Sequence, residues 1–222
     1  MTITSKVVTV LGLISGLVAT GATAEAKVLE HIVAHNNSSV LSFDSSVPLD
    51  CPDINPFATL STHATINGFE FTNKSTTNGD VRSNTAIVNI FQQNGCTGDF
   101  VFGFGNLDGG FTQNVLKSAL FRGTVPISDF NGAPLGSVAM DITLTGTGPV
   151  QTNQQHFRFV IFTPTGPAIE TLHTDGKSVS ADITSFAFSF NGVAIPAPAP
   201  GFFFDEIAVT KANTMELVKS NK

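Results

Sequence analysis

Large apolar side chains alternate with polar or small ones along much of this chain, and that period of two is the feature that most restricts its fold. In a β-strand, residues two apart lie on the same face, so the alternation predicts strands with one buried face. Phenylalanine forms the stripe in Phe100–Phe104, Phe157–Ile161 and Phe186–Phe190, and aliphatic residues form it in Ala86–Ile90 and Val138–Leu144. We expect these stripes to fill the core.

Turn-forming pairs separate the alternating runs. Gly and Asn accept positive φ, which tight turns between antiparallel strands require. The pairs are Asn78-Gly79, Asn94-Gly95, Asp108-Gly109, Asn131-Gly132 and Asp175-Gly176, and Pro164–Pro167 forms a further turn signal. Short strands punctuated in this way are typical of an all-β, antiparallel β-sandwich or barrel.

The C-terminal region carries two short β-prone runs, Phe204–Thr210 and Thr214–Val218, separated by Lys211-Ala212-Asn213. This pattern predicts a C-terminal β-hairpin, with a single helix as the alternative. A Pro-rich segment at 195–201 precedes this hairpin. Its prolines enforce an extended path without ladder hydrogen bonds, so we expect the segment to be a linker.

The N-terminal segment resembles a secretory signal. Lys6 precedes an apolar run, Val7–Ala19, and Ala22-Thr23-Ala24 offers the small residues at which signal peptidase cleaves. The run is shorter than the roughly 20 residues that a membrane-spanning helix needs. We therefore expect a signal peptide at 1–24, a single all-β domain at 25–222, and a secreted or extracellular location, with the periplasm as an alternative.

The charge balance restricts the partners. The chain has 11 basic and 17 acidic residues and a formal net charge of −6, which becomes one unit more negative when Lys6 leaves with the signal peptide. Nucleic acids and anionic membranes select cationic proteins. We therefore expect an extracellular ligand, no nucleic acid and no integral membrane segment after cleavage.

Cys51 and Cys96 are the two cysteines of the chain. In an oxidising compartment, a single pair without a CxxC motif or a neighbouring histidine predicts a structural disulfide rather than a metal site or catalytic thiols. Neither the HExxH zinc motif nor a nucleotide-binding motif is present, and we expect no cofactor.

The aromatic inventory consists of 20 Phe with no Trp and no Tyr. Phenylalanine provides burial without a polar group, which disfavours sugar binding. Two interpretations follow. The phenylalanines fill a solid core, or they line a barrel pocket for a small apolar ligand.

Catalytic motifs such as GxSxG and HExxH are absent from the sequence, although a pair of carboxylates would suffice for glycoside hydrolysis. Carboxylates suited by type alone are Asp80, Asp99, Asp108, Asp141, Glu170 and Asp182. Nothing in the sequence selects a pair among them.

Histidines offer two further candidate sites. His31 and His35 would share one strand face, where a metal site competes with ordinary surface histidines. His156 and Arg158 share a face of another strand. If Pro164–Pro167 forms the turn, His173 and Asp175 return opposite them and form a patch that could bind an anionic ligand. The alternative is a solvated sheet face.

Three function classes follow. The first is a noncatalytic extracellular binding or structural module, the second is a carrier of small apolar ligands in a Phe-lined barrel, and the third is a small hydrolase or isomerase that uses the face of His156, Arg158 and His173. Sequons at Asn36, Asn37 and Asn73 would matter only in a host that glycosylates exported proteins.

Overall fold

The computed structural model describes residues 27–51, 56–164, 166–198 and 207–220, so the predicted signal peptide lies outside the described residues. These ranges form ten strands and no helix. The strands are β1 (Val28–Pro48), β2 (Thr59–Ser75), β3 (Gly79–Asn94), β4 (Phe100–Asp108), β5 (Phe111–Asn114), β6 (Ser118–Ser128), β7 (Pro134–Thr163), β8 (Gly166–Phe190), β9 (Val193–Ile195) and β10 (Ile207–Ser220).

The strands form one antiparallel sheet that closes into a ring. Its order is β10-β1-β2-β3-β4-β6-β7-β8-β9, β5 pairs with β6, and β10 also pairs with β8. Pairing of β10 with both β1 and β8 joins the two ends of the path. The prediction of an all-β, antiparallel sandwich or barrel is confirmed. None of the described residues forms a helix long and apolar enough to cross a membrane.

The C-terminal β-hairpin prediction is wrong, and so is its helical alternative. β10 is one continuous strand, and Lys211-Ala212-Asn213 lies within it. These residues pair with Asn37, Asn36 and His35 of β1 on one side and with β8 on the other. Because backbone groups are hydrogen-bonded at both edges, the strand continues through a polar stretch that looks like a turn. Only 195–198 of the Pro-rich linker are described.

Side chains pointing into the ring form the core. Fully buried members include Phe43, Phe111 and Phe121, each at most 1% exposed. The predicted stripe of β7 is confirmed, since Val138, Met140, Ile142 and Leu144 are all buried. Phe43 contacts Phe186 and Phe188 edge to face, with ring centroids 5.2 Å apart in both pairs.

The expected core stripe of β4 faces outward instead. Phe100, Phe102 and Phe104 are 68%, 37% and 39% exposed. The inward face carries Val101 and Leu107 at its ends and glycines between them, and a Cβ added to Gly103 would lie 2.5 Å from Ile127 Cγ2. β4 and β6 therefore approach too closely at this seam for side chains between them. Their ladder is a single register pair, Phe104 with Ser128.

The second half of β7 projects beyond its neighbour β6. β6 pairs with β7 only as far as Thr145 of β7, whereas β8 continues to pair with β7 as far as Thr163. The register of the β7–β8 pair shifts between Thr147 and Gln151. Phe157 and Phe159 remain 43% and 45% exposed, so this predicted core stripe is also wrong.

A disulfide joins Cys51, just beyond β1, to Cys96, in the turn between β3 and β4. The two Cα atoms are 6.0 Å apart and the residues are 45 positions apart in sequence. The predicted pairing is confirmed. The bond fixes the loop after β1 to the β3–β4 turn at one end of the sheet.

Candidate functional site

The β7–β8 hairpin brings together most of the predicted His156 patch. The turn lies at Pro164, as the sequence suggested. His156 pairs in register with His173, and Asp175 pairs with Gln154, one position further along the same face. Asp175-Gly176, which we expected to form a turn, instead lies within β8 because it pairs with β7 and with β10.

Within this patch the contacts are polar and partly solvated. The rings of His156 and His173 meet edge to face with centroids 5.9 Å apart. His173 Nε2 lies 3.1 Å from Asp175 Oδ2, and both side chains are about 40% exposed. Asp175 Oδ1 is buried and has no hydrogen-bond partner among the described residues.

Arg158 stands apart from that histidine and carboxylate pair. Its register partner is Thr171, and none of the ion pairs formed within the described ranges includes its guanidinium. Arg158 and the neighbouring β7 positions are exposed. The patch can therefore offer one unpaired cation to an anion, but the strand provides no enclosing wall around it.

The patch lies on the side of the sheet that continues the core-facing surface. Val179 and Ala181 are buried in the core, and alternation places Asp175 and His173 on the same side of β8. The polar residues of this hairpin therefore continue the inner surface, and Phe157 and Phe159 face outward. This reverses the expected orientation.

His31 and His35 lie on one face of β1, as predicted, with Leu217 and Asn213 as their β10 register partners. Over the described ranges, no group of three His, Cys, Asp or Glu side chains gathers where it could hold a metal ion. The predicted carboxylates are also dispersed. Asp108 accepts a hydrogen bond from Thr85, and Asp141 forms a bidentate pair with Arg122.

Sequence reasoning missed a second polar cluster at the opposite end of β1. His63 Nδ1 lies 2.9 Å from Asp44 Oδ1, across the β1–β2 ladder. The pair opens onto a cavity of about 820 Å³ with a hydroxyl-rich wall and an apolar wall. The lining residues include Ser46, Ser61, Phe91, Pro196 and Pro198. The pair could have been found from the sequence only if the register of the β1–β2 ladder had been known. In an antiparallel ladder, the residue numbers of two facing residues add up to a constant.

A neighbouring cavity of about 660 Å³ shares Pro196 and Ala197 with the first. Its lining includes the Arg122–Asp141 ion pair together with Phe186 and Phe188. Pro196 and Ala197 therefore form a common wall between two surface cavities. Ser45 fixes it there by donating a hydrogen bond to the Pro196 carbonyl oxygen at 2.9 Å.

The outward side of β3 and β4 displays a cluster of aromatic rings, which we call the phenylalanine surface. Phe102 stacks on Phe130 at 5.0 Å between centroids, and Phe104 lies 5.8 Å from Phe130. Phe91 stacks on Phe100 at 6.1 Å and is the register partner of Phe102, which makes the cluster continuous. Phe130 and Phe100 are 77% and 68% exposed.

Basic residues are absent from the sequence segments that bear the rings of this surface. No Lys or Arg occurs in 83–116 or in 123–157, whereas Asp99 and Asp129 directly precede Phe100 and Phe130. Both carboxylates help to hold local turns, since Asp99 accepts a hydrogen bond from Thr97 and Asp129 accepts two from backbone amides. The surface is therefore apolar at its centre and mildly acidic at its margin.

No protein-family model and no curated protein sequence matches the chain. Among solved structures, an acetoacetate decarboxylase-like enzyme from Sphingomonas wittichii RW1 aligns over 86% of this chain and 92% of its own, with 10% identity and a TM-score of 0.22. A TM-score this low does not indicate a shared fold, so nothing about this chain follows from that enzyme.

Proposed function

We propose that this protein is an exported, noncatalytic binding module that holds an apolar partner on the phenylalanine surface. The supporting observation is the clustering of five phenylalanines on one outer face, four of them more than a third exposed. Single exposed apolar residues are ordinary in proteins, but a contiguous apolar patch typically marks an interaction site.

The chemistry of the surface suggests the partner's class. Phenylalanine rings offer no hydrogen-bond donor or acceptor, so the contact area of the partner is apolar. Asp99 and Asp129 at the margin, without a nearby Lys or Arg in sequence, favour a neutral or cationic partner over an anionic one. This also supports our expectation that nucleic acids are not partners.

The packing of the interior favours this proposal over the carrier alternative. A carrier requires an apolar cavity inside the ring, whereas Phe43, Phe111 and Phe121 occupy the interior with at most 1% exposure. Phe111 packs so closely over Gly68 that a Cβ there would lie 2.0 Å from its ring. Because phenylalanine rings fill the interior and pack directly against the backbone, little room remains there for a ligand.

The hydrolase or isomerase alternative has weaker support. His173 and His63 each contact one carboxylate, an arrangement that orients an imidazole. Neither forms a hydrogen bond with a serine, threonine or cysteine side chain in the part of the chain that is described. A nucleophile within reach of the base is the geometric requirement for that class of catalysis.

Export is the remaining part of the proposal. The signal-like segment at 1–24 and the Cys51–Cys96 disulfide both support it, because disulfides persist in oxidising compartments. N-terminal sequencing of protein recovered outside the cytoplasm should give a first residue of Glu25, or Lys27 if cleavage follows Ala26. Protein that retains Met1 would contradict the export proposal.

The binding proposal is tested with Nile red, a neutral apolar dye, and purified protein comprising residues 25–222. Replacing Phe102 and Phe130 together by serine should weaken dye binding about tenfold or more. The matched control is Phe57→Ser, which changes an 87% exposed phenylalanine outside the surface and should leave binding unchanged. Circular dichroism confirms that each variant folds. Equal dye binding by the double variant and the wild type would refute the proposal.

A further inference from the structure

The second half of β7 is an open sheet edge. Gln151–Thr163 forms thirteen consecutive register pairs with β8, without a bulge. No strand within the described ranges pairs with its other side, because β6 ends its pairing at Thr145. A free edge of this kind displays a row of backbone donors and acceptors that can pair with another strand.

This edge lacks three features that usually prevent such pairing, namely proline, lysine and bulges. Between Gln151 and Thr163 the sequence has no Pro, Lys, Asp or Glu, and Arg158 is the single formal charge. Apolar side chains are also exposed along it. Val160 and Phe162 are 58% and 87% exposed on one face, and Phe157 and Phe159 are 43% and 45% exposed on the other.

β3 also has a free edge, and it differs from the β7 edge. β3 pairs with β4 only from Thr85 onward, which leaves Gly79–Asn84 without a second neighbour in the described structure. That edge spans six residues and carries Asp80 and Arg82. It is short and charged, as a protected edge is expected to be. Of these two edges in the described structure, the longer β7 edge is the unprotected one.

We propose that a second copy of this chain pairs its own 151–163 segment with this edge, antiparallel and about a two-fold axis. The sheet then continues from one protomer into its partner. A two-fold arrangement is self-complementary, so the strand that best matches this edge in length and composition is the same segment of another copy.

Side-chain positions are compatible with that pairing. With the axis through Phe157, Arg158 lies opposite the partner's His156, and with the axis through Gln155 it lies opposite the partner's Thr152. Neither register places two arginines directly opposite each other, which would be destabilising. In both registers the Phe157–Phe159 pairs of the two copies lie on the same side of the continued sheet and extend a single apolar stripe.

The size of the contact sets the expected strength. Thirteen residues span about 43 Å, and a sheet edge is about 10 Å thick, so each copy would cover roughly 400 Å². The total of roughly 800 Å² is below the range of about 1,200–2,000 Å² that stable interfaces bury. We therefore expect a reversible dimer with a dissociation constant in the micromolar range.

This edge lies far from the phenylalanine surface. Register pairs place His173 of β8 beside Met215 of β10, which in turn lies beside Val33 of β1. In the same way, Phe91 of β3 lies beside His63 of β2, which lies beside Asp44 of β1. Eleven residues of β1 therefore separate the two levels, or about 36 Å along the strand. The dimer proposal and the binding proposal can each fail without the other.

Sedimentation velocity of residues 25–222, over about 1–200 µM protein, tests the dimer. The wild type should shift from monomer to dimer with concentration. Val160→Lys should weaken the dimer at least tenfold, because the edge would gain a second cation beside Arg158. Val193→Lys is the control, since Val193 is 55% exposed in β9 and its substitution should not change the dimer.

Three outcomes would overturn the proposal. They are a wild type that stays monomeric at 200 µM, a dimer that Val160→Lys leaves unchanged, and a dimer lost in Val81→Lys or in the Phe102 and Phe130 double serine variant. The last outcome would assign the contact to the β3 edge or the phenylalanine surface. Hydrogen exchange gives a second measure, since amides in 151–163 should become more protected as concentration rises.

Discussion

Gly105 of β4 lies so close to β6 that a Cβ at this position would be 2.1 Å from the carbonyl oxygen of Pro126. That oxygen belongs to backbone and cannot rotate away as a side chain can. The absence of a side chain at Gly105 is therefore a condition for closing the sheet at the β4–β6 seam.

Replacing Gly105 by alanine should separate the two strands and destabilise the protein by about 2–4 kcal/mol. Urea unfolding followed by circular dichroism measures the change. Gly176→Ala is the matched control, because a Cβ there would meet nothing closer than 3.4 Å. Equal stability of the two variants would contradict the close approach at the seam.

Replacing a phenylalanine by alanine should cost much more stability in the core than on the surface. Phe43 is 1% exposed and contacts Phe186 and Phe188, so Phe43→Ala should cost about 3–5 kcal/mol. Phe100 is 68% exposed, and Phe100→Ala should change the free energy of unfolding by less than about 1 kcal/mol. If Phe100→Ala lowered the free energy of unfolding more than Phe43→Ala, the aromatic face of β4 would have to point into the core.

The disulfide should contribute substantially to stability. It closes a loop of about 46 residues, and the loss of unfolded-state entropy corresponds to about 4 kcal/mol at 25 °C. Cys51→Ser together with Cys96→Ser should lower stability by about 2–4 kcal/mol. Mass spectrometry of wild-type protein purified without reductant should show a gain of two hydrogens on reduction, and two free thiols before reduction would contradict the bond.

The carboxyl of Glu216 should make the protein less stable as pH rises. Burial raises the pKa of Glu216 above its ordinary value, and the nearby carboxylates of Glu170 and Glu30 raise it further. The folded state thus keeps this proton to a higher pH than the unfolded state, and stability falls as pH rises through that interval.

Glu216→Gln should therefore stabilise the protein at pH 7 and not at pH 4. The gain should be below about 1 kcal/mol, because partial exposure screens the charge. Urea midpoints at the two pH values provide the measurement. A variant that is less stable than the wild type at pH 7 would show that the Glu216 carboxylate is favoured rather than disfavoured in the folded state.

Glu30 should have the opposite effect. Hydrogen bonds donated by Thr77, at 2.6 Å, and by Ser75, at 2.9 Å, lower the pKa of Glu30. Its contribution is therefore present at neutral pH and is lost as pH falls through the lowered pKa. Glu30→Gln should reduce stability at pH 7 by less than about 1 kcal/mol and have a smaller effect at pH 3. A larger loss at pH 3 than at pH 7 would contradict this sign.

Period-two alternation was sufficient to predict the strands but not always the direction of their faces. It correctly placed Val138 and Ile142 in the core. It failed for Phe102 because hydrophobicity alone suggests that the aromatic face is buried, whereas Gly103 and Gly105 had to face β6. That requirement arises from a contact between strands that are distant in sequence, and no local pattern contains it.

The candidate sites show a similar division. His156 and His173 flank a short turn signalled by Pro164, so their pairing could be predicted. His63 and Asp44 face each other only because a longer connection between β1 and β2 sets their register. The single C-terminal strand was also beyond local reasoning, since its two neighbours, β1 and β8, come from distant parts of the chain.

The distance between the phenylalanine surface and the open β7 edge has a consequence for avidity. Two copies joined along that edge would carry two phenylalanine surfaces at the far ends of one extended sheet. A partner that presents several apolar groups, such as a polymer or a crowded surface, could engage both at once. Paired weak contacts of this kind can exceed the affinity of either alone by about 10²–10⁴-fold when the spacing permits simultaneous binding. Dilution, which separates the copies, would then act as a switch between strong and weak attachment.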